Sequence, residues 1–580
     1  MKKLFNILLA CSVYCCITAM MATFTSCSDF LDEHTPQGTL SDEQVKSPEN
    51  AEAMVVSAYA IFTTAEDINS SFSMWNFDVR SDDAYKGGSG TSDGDVFHQL
   101  EVQQGVLTTN WNINDMWVRL YNSISRVNTA IALLNASDYD MKTQRMAEMK
   151  FLRAYAHFLL KRLYKHIPFV IDENLTYDQY NALSNTTYTN NEGWQLIIDD
   201  LMEAYNTLPE TQADKGRPTK AAAAAFLAKV YLYKAYRQDD AATNQVTSIN
   251  EADLQKVIEF TAPALYANYG LEDDLHNNFR PEEEYENGVE SIWAIQYSRN
   301  DGSTYGNLNW SYGLIPPNIP GATDGGCDFY KPSQNLVNAY RTGDDGLPLL
   351  NNFNDRDYNK AADNADPRLF LTVGIPGLPY MFNPGYMMEE TSIWSRSNGL
   401  YGYNVSLKQN VDPALIDQYL IKGSYWASSM NRIVFRFADV LLMRAEAQAQ
   451  FGNTAEAIQL VNRLRTRAAQ STQMTASYPS RYGVKMFVSN YRGTYSKQDA
   501  ISIVKMERRL EMGMECERFF DLVRWGEAAT VLNKYYAEEI DNCAIYTAAH
   551  FTANRDEYLP IPFEQLSASN GHYTQNVGNW

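Results

Sequence analysis

Cysteine is scarce in this 580-residue chain, with seven residues in all. Cys11, Cys15 and Cys16 sit in the apolar N-terminal stretch, and Cys27 follows it. That leaves Cys327, Cys516 and Cys543, a sparse and odd-numbered set without CxxC or Cys/His zinc spacing. A disulfide framework is therefore excluded, and stability must come from packing. Positive charge is short too: 48 Lys and Arg face 70 Asp and Glu, a formal net charge of −22. Nucleic-acid binding needs a basic patch to neutralise phosphates, so that partner class is not expected. After the N-terminus no second run of roughly 20 apolar residues occurs, so the remainder is expected outside a bilayer. HExxH, the P-loop and GxSxG are missing, and the run Gly87–Gly90 is not a nucleophile elbow. No catalytic residue, cofactor or metal site is assigned.

Aromatic residues, by contrast, are plentiful: 13% of the chain, with 38 Tyr and 10 Trp. Tyr and Trp join a flat apolar face to a polar edge, which suits recognition of sugars and peptides. A Tyr-rich helical core is the plainer use of the same composition, and the two are compatible. At the N-terminus Lys2 and Lys3 precede a mostly apolar stretch, then Thr25-Ser26-Cys27. This order reads as a secretion signal over residues 1–26. The cysteine at the cut makes it similar to a lipoprotein signal, with Cys27 lipidated. An uncleaved transmembrane anchor is the alternative. Acyl chains contribute ~0.8 kcal/mol per buried methylene, so a multiply acylated Cys27 would hold a membrane stably. The acidic run Ser28–Glu33 resembles the surface-export signal of some Gram-negative lipoproteins.

Periodicity of three and four residues dominates much of the rest. Helices are expected from Pro48 to about Glu66, and over Asn114–Ala136, Thr143–His166, Gly193–Leu208 and Lys220–Arg237. Another pair, Phe437–Phe451 and Ala455–Ala469, is split at Gly452-Asn453. In this pair Ala445 and Ala449 face Ala457 and Ala468, and small residues on facing ridges allow close approach. The pair spans about the ~34 residues of a tetratricopeptide unit without its usual signature. The expected fold is mainly α, with tetratricopeptide-like helix pairs stacked as a short superhelix. Residues 281–432 differ, being rich in Gly, Pro, Asn, Tyr and Trp, with a short strand at Ser291–Tyr297. They read as a loop-rich subdomain between a helical part at 27–280 and another at 433–580. Residues 70–110 read as a long irregular region, and Asp82, Asp83, Asp93 and Asp95 as a solvated acidic loop. Calcium binding is weakly indicated there, since EF-hand spacing is absent.

One stretch, Glu507–Gly526, packs charge and aromatic mass together. Arg508 and Glu511 are one helical turn apart, as are Asp521 and Arg524, and can pair. Phe519, Phe520 and Trp525 supply buried bulk, and Gly526 can close the helix in the left-handed conformation. Charges inside an aromatic run point to a buried, paired network rather than a solvated face or a catalytic centre.

Several segments in order resemble the SusD/RagB family of outer-membrane lipoproteins. They are Trp117–Asn128 (WVRLYNSISRVN), Ala147–Val170, Gly216–Tyr233, Asp366–Leu369 (DPRL), Arg436–Gln448 (RFADVLLMRAEAQ), Glu507–Gly526 and Tyr558–Pro562 (YLPIP). The resemblance implies an α fold with tetratricopeptide-like pairs, surface glycan binding, and a SusC-like TonB-dependent transporter as partner. Asp67, Asn69, Asp93 and Trp111 look similar to the arrangement in family members that bind fructans such as levan. The binding loops would then lie within residues 67–111.

Sugar recognition needs a flat apolar surface for C–H faces and polar groups for hydroxyls. Trp111, beside an expected helix, fits the first need. Asp67, Asn69 and Asp93 fit the second. Cys327, Arg396 and Tyr425, in the loop-rich part with Trp394, complete the candidate ligand set. For each of them a packing role is the plainer reading. Two other functions stay open: a protein-interaction or peptide-binding scaffold for the transporter, and a glycosidase, which needs only two suitably spaced carboxylates.

Overall fold

A computed structural model describes residues 47–63, 73–302, 306–389, 394–422 and 426–580. The signal segment, Cys27, Asp67, Asn69 and Tyr425 lie outside the described residues. Helices of eight residues or more are numbered in chain order. The first seven are α1 (Pro48–Ala60), α2 (Asp95–Val102), α3 (Trp111–Ala136), α4 (Lys142–Tyr164), α5 (Asn190–Thr207), α6 (Lys220–Ala235) and α7 (Glu251–Phe260). The C-terminal set is α8 (Phe437–Phe451), α9 (Thr454–Gln470), α10 (Lys497–Met512), α11 (Arg518–Trp525) and α12 (Ala528–Glu539).

Local sequence accounts for where these helices start and stop. Asn110 caps α3 by accepting from the Asn112 and Ile113 N–H groups, and Thr189 and Glu192 form a capping box on α5. Gly452, at φ 82°, closes α8, and Gly526, at φ 72°, closes α11 as expected. Helices α3 to α7 pack each on the next, α8 packs on α6 and α7, and α9 and α10 follow on α8. This is the expected stack of helix pairs. Small residues suit this close stacking: Ala222–Ala225 of α6 and Ala438, Ala445 and Ala449 of α8 have no exposed surface. Helix α4 is buried on nearly every face, so its polar residues must find partners. Arg153 donates to both oxygens of Asp200, at 2.8 and 2.7 Å, and Lys161 donates to Asn190 at 2.8 Å.

Four strands of four or more residues occur among the described residues. They are β1 (Ala84–Gly87), β2 (Ser291–Ile295), β3 (Phe329–Pro332) and β4 (Arg432–Arg436). β2 and β4 pair antiparallel. The loop-rich segment thus leaves the helical stack beside the point where it returns, and α8 can continue from α7 across 176 intervening residues of sequence.

Four expectations need correction. Residues 73–110 are not irregular: they hold the short helix Trp75–Asp78, β1 and α2, and most are buried. Trp75, Phe77, Val79, Val96 and Phe97 supply the apolar faces that fix them. Asp82 and Asp83 are not solvated. Asp82 takes both Nε and Nη2 of Arg518, at 2.8 and 2.9 Å, and Asp83 takes Nε of Arg509 at 2.7 Å. Nor do Arg508 and Glu511 pair with each other: Arg508 reaches Asp439 on α8, and Glu511 reaches Arg467 on α9. α1 also ends at Ala60, short of Glu66.

The stretch Glu507–Gly526 is nevertheless the buried network its composition indicated. Arg368, Arg436, Arg465, Arg467 and Lys408 pair with Asp366, Glu290, Glu507, Glu511 and Glu515, five cations to five carboxylates. A second set joins Arg162, Lys229, Arg508 and Arg524 to Glu517, Asp439, Asp521 and Glu446, four to four. Charge balance within each set is what lets so many ions leave water.

Candidate ligand-binding site

β1 and β3 pair antiparallel, with Gly87 opposite Phe329. The chain then turns through Gly87, Gly88 and Gly94, at φ 79°, 77° and 69°. A Cβ on Gly87 would lie 2.2 Å from the Asp328 carbonyl oxygen, and one on Gly88 would lie 2.7 Å from the Phe329 ring. Only glycine allows the loop to press this closely against β3.

Within the loop, Asp93 Oδ2 accepts from the Ser89 N–H at 2.8 Å and from the Ser89 hydroxyl at 2.9 Å. It also takes the Arg396 guanidinium at 3.3 Å, and both side chains remain about one-third exposed. Arg396 is placed by its own N–H, which donates to Asp328 at 3.2 Å. Partial burial raises the Asp93 carboxyl, but Ser89, Arg396 and Lys86 outweigh it, so the group stays below its ordinary value and is ionised. Cys327 is buried at the same place, and burial pushes its thiol up although Arg396 pulls it down.

Trp111 is the first residue of α3, and 44% of it is exposed. Its ring meets Phe97 edge-on at 5.9 Å. Phe97 in turn packs on Phe329 at 6.3 Å and Trp75 at 5.4 Å. The indole of Trp75 donates to the Ser311 carbonyl at 2.9 Å. A buried aromatic cluster therefore supports one solvent-facing indole, and the loop that carries the Asp93–Arg396 pair rests on the same cluster through Phe97 and Phe329.

Of the seven ligand residues read from sequence, Asp93, Arg396 and Cys327 are brought into one neighbourhood. Trp111 joins them through Phe97 and Gly94, whose added Cβ would lie 2.7 Å from the Phe97 ring. Sequence reading missed Ser89, Phe97, Phe329 and Lys86. The available signal was the lysine between Tyr85 and Gly87-Gly88, a charge at the end of a strand ahead of a glycine-rich turn.

Hollows also lie elsewhere. A partly open cavity of about 90 Å³ is lined by Trp75, Tyr312, Lys229, Lys408, Arg436 and Glu515. It is well below the roughly 300 Å³ of ordinary small-molecule sites. Open grooves of about 280 and 300 Å³ run beside Tyr59 and Trp293 and beside Phe353 and Trp525. Neither is lined by any of the seven candidate ligand residues.

The SusD family model matches residues 289–580, which is half of the chain. The chain belongs to the SusD family. A second model, described as starch-binding associating with outer membrane, matches residues 29–232. SusD-like protein P2 of Formosa agariphila is 26% identical, over 96% of this chain and 98% of its own length. A SusD superfamily protein of Bacteroides vulgatus superposes with TM-score 0.67 at 21% identity, over 92% of this chain and 99% of the other. Surface glycan-binding protein A of Bacteroides thetaiotaomicron, solved in complex with laminarihexaose, gives TM-score 0.64 at 19% identity, over 91% and 99%. The two solved structures share this chain's fold along nearly their whole length, as the sequence resemblance implied for the α fold.

Proposed function

We propose that this SusD-family chain is a non-enzymatic, surface-exposed lipoprotein of the outer membrane that binds an oligosaccharide and works with a SusC-like TonB-dependent transporter in nutrient uptake. The observation that carries the reading is Trp111, 44% exposed on the Phe97–Phe329 aromatic cluster, on which the loop carrying the Asp93–Arg396 pair also packs. An indole face covers the C–H face of a sugar ring, while a carboxylate and a guanidinium serve vicinal hydroxyls. The similarity to a glycan-binding protein solved with laminarihexaose and the match to a starch-binding family description support it. The lipid on Cys27 supplies the anchor in this account.

Binding without cleavage is the better chemical fit. Glycoside hydrolysis needs a carboxyl raised enough to act as an acid beside a second carboxylate. Asp93 is held low and tied to Arg396, and Asp82 and Asp83 are committed to Arg518 and Arg509.

The fructan reading rests on the likeness at Asp67, Asn69, Asp93 and Trp111. Calorimetry against levan, inulin, laminarin and starch oligosaccharides tests it. Binding to a fructan is expected, and binding only to another glycan would remove the levan assignment. No binding to any glycan, with retained co-purification of the transporter, would favour the interaction scaffold. Trp111→Ala is expected to weaken binding by about tenfold or more, about 1.4 kcal/mol, with helical content unchanged. Loss of fold instead would mark Trp111 as a packing residue.

A further inference from the structure

The loop at 87–94 presents Asp93, yet it has almost no apolar side chain to hold it. Its sequence is Gly-Gly-Ser-Gly-Thr-Ser-Asp-Gly, and Ser89, Thr91 and Ser92 are exposed. What its interior contains is the ammonium of Lys86. This side chain has no exposed surface. Its Nζ donates to three backbone carbonyls of the loop, Gly87 at 2.9 Å, Gly90 at 2.9 Å and Asp93 at 2.5 Å. The ammonium also lies over the rings of Phe329 and Tyr401, at 5.0 and 5.5 Å. Among the described residues, none of its partners is a carboxylate at ion-pair distance. An ammonium has three protons, and here each meets a carbonyl oxygen of the same turn, as a bound metal ion would be met.

We propose that Lys86 is a positioning residue of the ligand site: its ammonium is the internal cation around which residues 87–94 are wrapped, and it thereby sets where Asp93 presents its carboxylate. The proposal rests on the reading of Asp93, Arg396 and Trp111 as ligand contacts. Lys86 never reaches the ligand. It acts on affinity through the loop, and the glycines at 87, 88 and 94 let the backbone turn its carbonyls inward.

A consequence is a pH dependence of the loop and of the affinity it sets. The charges facing Lys86 are Glu101 on α2, Asp93 and Asp95 in and after the loop, and Arg396 from the loop-rich segment. Glu101 also accepts the Lys86 backbone N–H at 2.7 Å. Burial lowers the ammonium pKa more than these carboxylates raise it, to about 8. A neutral amine keeps two N–H donors and turns a lone pair toward the third carbonyl. The loop therefore loosens as pH rises through about 8.

The test uses the full chain. Amide hydrogen exchange of residues 88–94 is measured without ligand, in the wild type and in Lys86→Met. Protection factors in the loop are expected to fall by about tenfold in the variant, with amides of α4 and α8 unchanged. In the wild type they are expected to fall between pH 7 and 9, a measurement that needs no variant. Where a glycan from the calorimetric panel binds, its affinity should weaken over the same interval, and the profile should be flat and lower in Lys86→Met. Unchanged loop protection in the variant, or a flat wild-type profile from pH 7 to 9, would overturn the proposal. A chain that binds no glycan would end the functional reading, while the ligand-free exchange would still decide the role of Lys86.

Discussion

Glu511 offers the sharpest test of how the interior is held. It lies on α10 with no exposed surface. Its Oε1 accepts from Arg436 at 2.7 Å and from Arg467, and its Oε2 accepts from Arg368 at 3.0 Å. Glu511→Gln keeps the shape and removes one charge. The set would then hold five cations against four carboxylates, and the new NH2 would face guanidinium donors. Removing one partner of a buried, paired network costs about 3–5 kcal/mol, because the opposite charge is left uncompensated. Glu456, partner of Arg444 on the surface at 2.8 Å, is the control, and Glu456→Gln should cost no more than about 1 kcal/mol. Guanidinium unfolding followed by tryptophan fluorescence compares the three chains. The pH dependence gives a second readout. Burial raises the Glu511 carboxyl, but Arg467, Arg436 and Arg368 together bring it well below its ordinary value. A depressed carboxyl contributes stability that is fully present above the unfolded value of about 4.3 and is lost as pH falls toward the folded one. The gap between wild type and Glu511→Gln should therefore be constant from pH 7 to about 5 and narrow below that. A cost equal to that of the surface control, or a gap that does not narrow in acid, would refute the reasoning.

The other expectations are simpler. Trp75→Ala should cost about 3–5 kcal/mol, since Trp75 is 1% exposed and hydrogen-bonded, whereas Trp111→Ala should cost far less in thermal or denaturant unfolding. Cys516 and Cys543 should resist alkylation at pH 8 in the folded chain and react on denaturation, as read by peptide mass spectrometry, because burial raises both thiols. Gly452→Ala should destabilise by about 1 kcal/mol in the same unfolding assay. The space around it is open, and the cost is the left-handed backbone at φ 82° alone.

Some of these features could be read directly from residues. Helix periods, the cap at Asn110 and the stop glycines at Gly452 and Gly526 are local, since each depends on neighbours within four or five positions. The loop-rich character of residues 281–432 showed in its Gly, Pro and Asn content. Residues 73–110 misled for the opposite reason. Their polar composition looked solvated, but Asp82 and Asp83 find Arg509 and Arg518 more than 420 positions away. No short window contains that pairing.

The amino-acid order by itself determined that this would be a helical stack interrupted by a loop-rich insertion, with charge embedded in aromatic surroundings near its C-terminus. Periodicity and composition carry that information because secondary structure and burial are decided within a turn or two of chain. Which charge meets which was decided only by tertiary structure: Arg396 with Asp93, Glu511 with three arginines, Lys86 with the carbonyls of its own turn. Ion pairing depends on distance in space, and the packing of β1 on β3 and of α10 on α8 sets those distances.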